Sequence, residues 1–157
     1  MINLNQAARM KYEEFLDEGS LIIMNTPTLE MLDVFDDLYN HISDRSYDVR
    51  TFGYDPYNAE AFVKQWCINY GSYGVMMVRQ GKRTESVPLG ELKQLAEDRL
   101  LLFDEALMSF AMGNAIVQKD INNNKMLAKR RNEDKIDPVA AMLDAYVAMK
   151  ATPDAFD

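Results

Sequence analysis

Short apolar runs alternate with amphipathic segments along most of this 157-residue chain, and that alternation limits the fold more than any single residue does. Leu21 to Met24, Tyr47 to Tyr54, Gly74 to Val78, Leu100 to Phe103 and Ala115 to Val117 read as strands, being apolar, short and bounded by glycine, proline or polar residues. Helical periodicity marks residues 7–18, 29–42, a segment from Pro56 or Asn58 to just before Gly71, a stretch opening at Pro88, then 105–112 and 138–150. Residues 82–86 read as a polar loop, 122–134 as the least ordered stretch, and 152–157 as a frayed tail. Strands interleaved with helices predict an α/β domain whose largely parallel sheet is flanked by helices. Right-handed crossovers then bring the strand C-termini, with Asp55 among them, to one edge. No repeat or linker divides the chain, so residues 1–157 are expected to form a single domain.

Composition removes several classes of function. One cysteine, Cys67, cannot form an internal disulfide and suits a reducing cytoplasm; in an apolar helix beside Trp66 it reads as a buried structural thiol. His41 is the only histidine, which argues against a zinc site. No apolar run is long enough to span a membrane, and residues 1–6 do not open a secretory signal. There is no Gly-x-x-x-x-Gly-Lys-Ser/Thr loop for ATP. A net charge of −8 argues against nucleic acid wrapping the whole surface, but leaves room for a local basic face.

Two acidic signatures stand out: Gly53-Tyr54-Asp55-Pro56 and Lys135-Ile136-Asp137-Pro138. Each sets an aspartate beside a proline, where the chain changes direction. Either aspartate can be a helix cap. Together they can also converge as hard oxygen ligands for Mg2+ or Mn2+, as two-metal phosphoryl chemistry requires. Arg79, Gln80, Lys82 and Arg83 end one strand and enter the polar loop, where they read either as a solvated surface or as a grip on a phosphate backbone. Lys129, Arg130 and Lys135 lie in a basic stretch before Asp137, with the same two readings.

Taken in order, Gly53-Tyr54-Asp55-Pro56, Val78-Arg79-Gln80-Gly81 with Ser86-Val87-Pro88 downstream, Asn114, and Lys135-Ile136-Asp137 before an alanine-rich helix resemble the C-terminal nuclease domain of tailed-phage terminase large subunits. The resemblance runs from about Tyr12 to Met149. It implies an RNase H-like fold and a metal-dependent endonuclease that cuts concatemeric phage DNA in the bacterial cytoplasm. It also implies Asp55 and Asp137 as metal-binding carboxylates, a polar loop at Arg79-Gln80-Gly81, and Lys135 as a phosphate-orienting cation. Double-stranded DNA, a portal and a small terminase subunit are the implied partners.

The family's ATPase motor and the first strand of its fold, which carries another aspartate, have no counterpart in the sequence. The expectation is therefore a domain incomplete at its N-terminus, with an exposed sheet edge prone to self-association and little nuclease activity on its own. The alternative is a noncatalytic module that binds DNA or a packaging partner.

Overall fold

The computed structural model describes residues 6–103 and 105–157, and its class is mixed α/β. The element order is α1 (Gln6–Asp17), α2 (Met31–Asp44), β1 (Phe52–Tyr54), α3 (Glu60–Tyr70), β2 (Val75–Met77), α4 (Lys82–Glu97), α5 (Ala106–Asn114), β3 (Ala115–Lys119), β4 (Lys125–Lys129) and α6 (Asp137–Ala151), closed by a 3-10 turn at Pro153–Phe156. The reading of the N-terminal segment as lacking a secretory signal rests mainly on residues outside those described.

β1 and β2 pair in parallel, with Phe52 opposite Val75 and Gly53 opposite Met76. Successive side chains alternate across this pair, so it separates two cores. On one face Phe52 and Val75 pack against buried Phe35, Ile42 and Trp66 of α2 and α3. Phe52 stacks on Trp66 with ring centroids 4.3 Å apart. On the other face Met76 packs against Val78, Leu89, Leu92, Leu143 and Val147, which bring α4 and α6 onto the sheet.

Gly53 points to that second face, and α6 lies directly on it. A Cβ at position 53 would overlap the Asp144 carbonyl and stand 3.2 Å from the Ala148 Cβ. Ala148 is fully buried at this crossing. Small residues on both sides therefore set how closely helix and strand approach.

Several local expectations change. Leu21 to Met24 and Leu100 to Phe103 are not strands, and the strand expected from Tyr47 shortens to Phe52–Tyr54. Apolar composition alone does not make a strand; the backbone needs a neighbour to bond with. Residues 82–86 are not a loop but the opening of α4. Gly81 adopts a φ of 135° before that helix, and its N–H donates to the Glu85 carboxylate. Pro88 lies inside α4 rather than in its first turn.

The stretch 122–134, expected to be poorly ordered, contains β4, which pairs antiparallel with β3 over five residues. The Asp120 carboxylate accepts the Asn122 and Asn124 N–H groups, and Asn123 takes a φ of 63°, so the asparagines form a hairpin turn. The tail is also ordered: Ala155 is buried and its carbonyl accepts a bond from the Arg50 guanidinium at 3.1 Å.

Gly53→Ala forces β1 and α6 apart against backbone that cannot yield locally. It is expected to destabilise the chain by about 3 kcal/mol, the upper part of the usual range for overpacking. Urea unfolding measures this directly, and a loss below about 1 kcal/mol would show that the crossing is looser than described.

Candidate active site

β1 delivers Asp55 to the turn before α3. Its Oδ1 accepts the Tyr57 N–H at 2.8 Å, which stiffens the turn around Pro56 and occupies one carboxylate oxygen. α3 starts at Glu60 with Ala59 as its N-cap, so Asp55 does not cap that helix. Asp137 opens α6, whose N-cap is Ile136 and which has no side-chain cap bond. The exposed Asp137 carboxylate is thus released from capping, in a first turn where the helix dipole favours an anion.

Asn114, at the end of α5, fixes the approach to this turn. Its Nδ2 donates to the Lys135 carbonyl at 3.1 Å, and its own carbonyl accepts the Arg130 N–H at 2.9 Å. The two bonds hold the chain between β4 and α6 at both of its ends.

A cleft of about 200 Å³ lies between the α4 N-terminus, β4 and α6. Gln80, Glu85, Lys129, Asp137 and Asp144 form its polar wall, with Leu127, Ile136 and Leu143 among its apolar residues. Three residues singled out by sequence, Gln80, Lys129 and Asp137, therefore share one cavity. Asp55 is not part of that wall, but its charge acts on Asp144. Arg79, Arg83, Arg130 and Lys135 are exposed outside the cleft wall. Lys82 turns to Asp120, with its Nζ 3.6 Å from the carboxylate.

Glu85 and Asp144 were not anticipated from sequence. Glu85 bridges two elements: Oε1 accepts the Gly81 N–H at 2.9 Å and Oε2 the Leu127 N–H at 2.6 Å. Asp144 is 7 % exposed, and its acidity is governed by burial and by the like charges of Asp55 and Glu85, with no hydrogen bond contributing. These push its carboxyl up to about 6. One sequence relation does connect it to the site: Asp144 follows Asp137 by seven residues, two helical turns, so the two acids share a face of α6.

Carboxylates are the right kind of donor for a hard divalent cation. Their number is smaller than a closed site requires. Among the described residues no three His, Cys, Asp or Glu side chains stand close enough together to hold an ion.

A family model described as "Terminase large subunit, endonuclease domain" matches residues 2–152. The chain belongs to the terminase large-subunit endonuclease-domain family. It is 26% identical over 135 residues to the terminase large subunit of Lactococcus phage p2, covering 83% of this chain and 25% of that protein. The corresponding protein of Lactococcus phage SK1 is 24% identical over 135 residues with the same coverage. The chain thus spans about a quarter of the length of these relatives.

A solved structure titled as the HK97 bacteriophage large terminase superposes with a TM-score of 0.76 at 22% identity, over 91% of this chain and 30% of that one. That likeness shows that the chain shares its fold with part of that large terminase. No helix among the described residues is long and apolar enough to cross a membrane.

The environment of Asp144 sets a pH dependence. Its carboxyl lies above the ordinary 3.8, so the folded state holds this proton more tightly than the unfolded chain does. Stability from this group is full below about pH 4 and is lost as pH rises through about 6. Asp144→Asn removes the loss, while Asp55, Glu85, Lys129 and Asp137 remain around the site. Urea unfolding in EDTA should show the variant more stable than wild type by on the order of 2–3 kcal/mol at pH 7.5 and nearly equal at pH 4. An equal difference at both pH values would contradict the assignment.

Proposed function

We propose that this terminase domain is a metal-dependent endonuclease that hydrolyses phosphodiesters of concatemeric viral DNA during packaging. In this reading Asp55 and Asp137 are the carboxylates of a two-metal Mg2+ or Mn2+ centre. The observation that supports it is the gathering of acids at one rim. Asp137 and Asp144 wall a single cleft, and Asp55 lies within electrostatic reach of Asp144, in a chain of a nuclease-domain family.

A divalent cation bound there would supply Lewis acidity toward a phosphate oxygen and an attacking water. The chain's own residues would do the rest. Lys129 and Gln80 line the cleft and carry an ammonium and an amide, the kinds of donor a phosphate needs. Arg79, Arg83, Arg130 and Lys135 offer exposed cations for positioning the DNA backbone. Leu127, Ile136 and Leu143 give the cleft apolar surface, which strengthens electrostatics within it. The partners proposed for the whole subunit are double-stranded phage DNA, a portal and a small terminase subunit.

A second reading, a noncatalytic module that binds DNA or a packaging partner, draws on the shortage of convergent ligands. Fewer carboxylates hold a hard cation less tightly. Weak nicking by the isolated chain is therefore expected even if the catalytic reading is right.

Supercoiled-plasmid nicking in millimolar Mn2+ tests the proposal, using the 157-residue chain and a terminase large subunit containing it. Nicking by the larger protein should vanish in EDTA and fall by roughly 100-fold or more with Asp55→Asn or Asp137→Asn, because each change removes a charged metal ligand. Undiminished nicking by both variants would refute the catalytic assignment. DNA retention with no nicking by the unaltered larger protein would favour the noncatalytic module.

A further inference from the structure

We propose that the cavity between α4, α5, the β3–β4 hairpin and α6 is a binding site for an apolar carboxylic acid, its hydrocarbon body inside and its carboxylate held by Lys119 and Lys125. The cavity is separate from the acidic cleft, sharing only Leu127 and Leu143 with the cleft wall. The proposal is therefore independent of the nuclease reading.

Shape comes first. The cavity holds about 440 Å³, and sites for small molecules commonly hold roughly 300–1,000 Å³. Its floor is made by the core residues Leu89, Leu92 and Leu143. Its mouth is also apolar, yet wet: Val117 is 47 % exposed and Met112 38 %. A hydrocarbon placed here would take apolar surface out of water on both sides of the contact.

Charge then selects the occupant. Among the described residues the lining includes Lys93, Lys119 and Lys125 but no aspartate or glutamate. Lys93 is already paired, its Nζ 3.2 Å from the Glu97 carboxylate. Lys119 and Lys125 form no ion pair among the described residues. The hairpin register sets these two directly opposite each other, with Val117 opposite Leu127 two positions further along the same face. Like charges opposed across a strand pair destabilise it. α4 makes room for the arrangement at Gly90, where an added Cβ would stand 3.3 Å from the Lys125 Nζ. Glycine inside a helix is a further cost to the empty fold.

An anion between the two ammonium groups turns their repulsion into attraction. A simple phosphate would satisfy the lysines and leave the recess empty. A neutral hydrocarbon would fill the recess and leave the lysines opposed. An apolar acid answers both features at once.

The test is titration of the 157-residue chain with decanoate, followed by calorimetry and by methionine-methyl NMR. Binding is expected to shift the signals of Met112 and Met142, which line the cavity, and to leave Met31 of α2 in place. Affinity should fall by about fourfold for each methylene removed from the acid. Decanol should bind at least about tenfold more weakly than decanoate, having no charge for the lysines to meet. Combining Lys119→Gln with Lys125→Gln should lower decanoate affinity to that of decanol. The same double variant should resist urea at least as well as wild type, because the cross-strand repulsion is gone. Absence of binding, shifts that spare Met112 and Met142, or equal affinity for acid and alcohol would overturn the proposal. So would wild-type decanoate affinity in the double variant. Failure of that variant to fold would overturn it too, by showing that the lysines serve the fold rather than a ligand.

Discussion

The close approach of α6 to Gly53 is the contact on which the site depends. A parallel pair of three-residue strands is a small platform, and a helix can lie tightly on it only where the strand offers no side chain. The glycine removes that obstacle, and Ala148 keeps the helix side equally small. The consequence is chemical as well as mechanical. The residue that touches Gly53 is Asp144, and Asp55 follows two positions on, just past the strand. Moving the helix outward by the width of a methyl group would separate the two charges and open the core formed by Val78, Leu143 and Val147.

The other side of the cleft is held by different means. Glu85 bonds Leu127 of β4, and the Ser86 hydroxyl accepts the Lys125 N–H at 3.1 Å, so the first turn and a half of α4 fastens the β3–β4 hairpin. Asn114 then ties the exit of that hairpin to the start of α6. Lys129 and Asp137 consequently face one cavity from separately anchored elements. A site held this way keeps its geometry better than one built on free loops.

The alternation of apolar runs and helical periods revealed the α/β class, and proline-flanked acids revealed Asp55 and Asp137 as exposed or half-buried carboxylates at element ends. What sequence concealed was pairing. Leu21 to Met24 looks like a strand, yet strand identity depends on a neighbour that composition does not name. The converse error fell on residues 122–134. Asp120-Ile121-Asn122-Asn123-Asn124 reads as disorder if counted by polarity, but as a turn if each group is given its bond. Glu85 was misplaced for a related reason. Its acceptors are filled by Gly81 and by Leu127, which lies 42 residues away, and no local pattern encodes the second bond. Asp144 was hidden by its surroundings, since an acid in an alanine-rich helix reads as its solvated face until the helix is rotated onto the sheet.

Charge placement explains how an acidic chain can still approach a polyanion. Lys82 is drawn to Asp120, and Arg131 to Glu133 and Asp134. Those ion pairs subtract cations from the basic stretches seen in sequence. Among the described residues, Arg79, Arg83, Lys129, Arg130 and Lys135 form no ion pair, and they lie within or next to the elements that carry the cleft. Exposed charges act over roughly a Debye length, about 10 Å at moderate ionic strength, so the field near the cleft is set by these neighbours more than by the net charge of −8. The carboxylates and cations oppose one another only if the acids remain bare. If the proposed ion neutralised the acids, the same cations would dominate the rim, and affinity for a phosphate backbone would become conditional on the metal. Under the proposed nuclease reading, a chain with this distribution of charge would engage a phosphate backbone more tightly with a cation bound than without one.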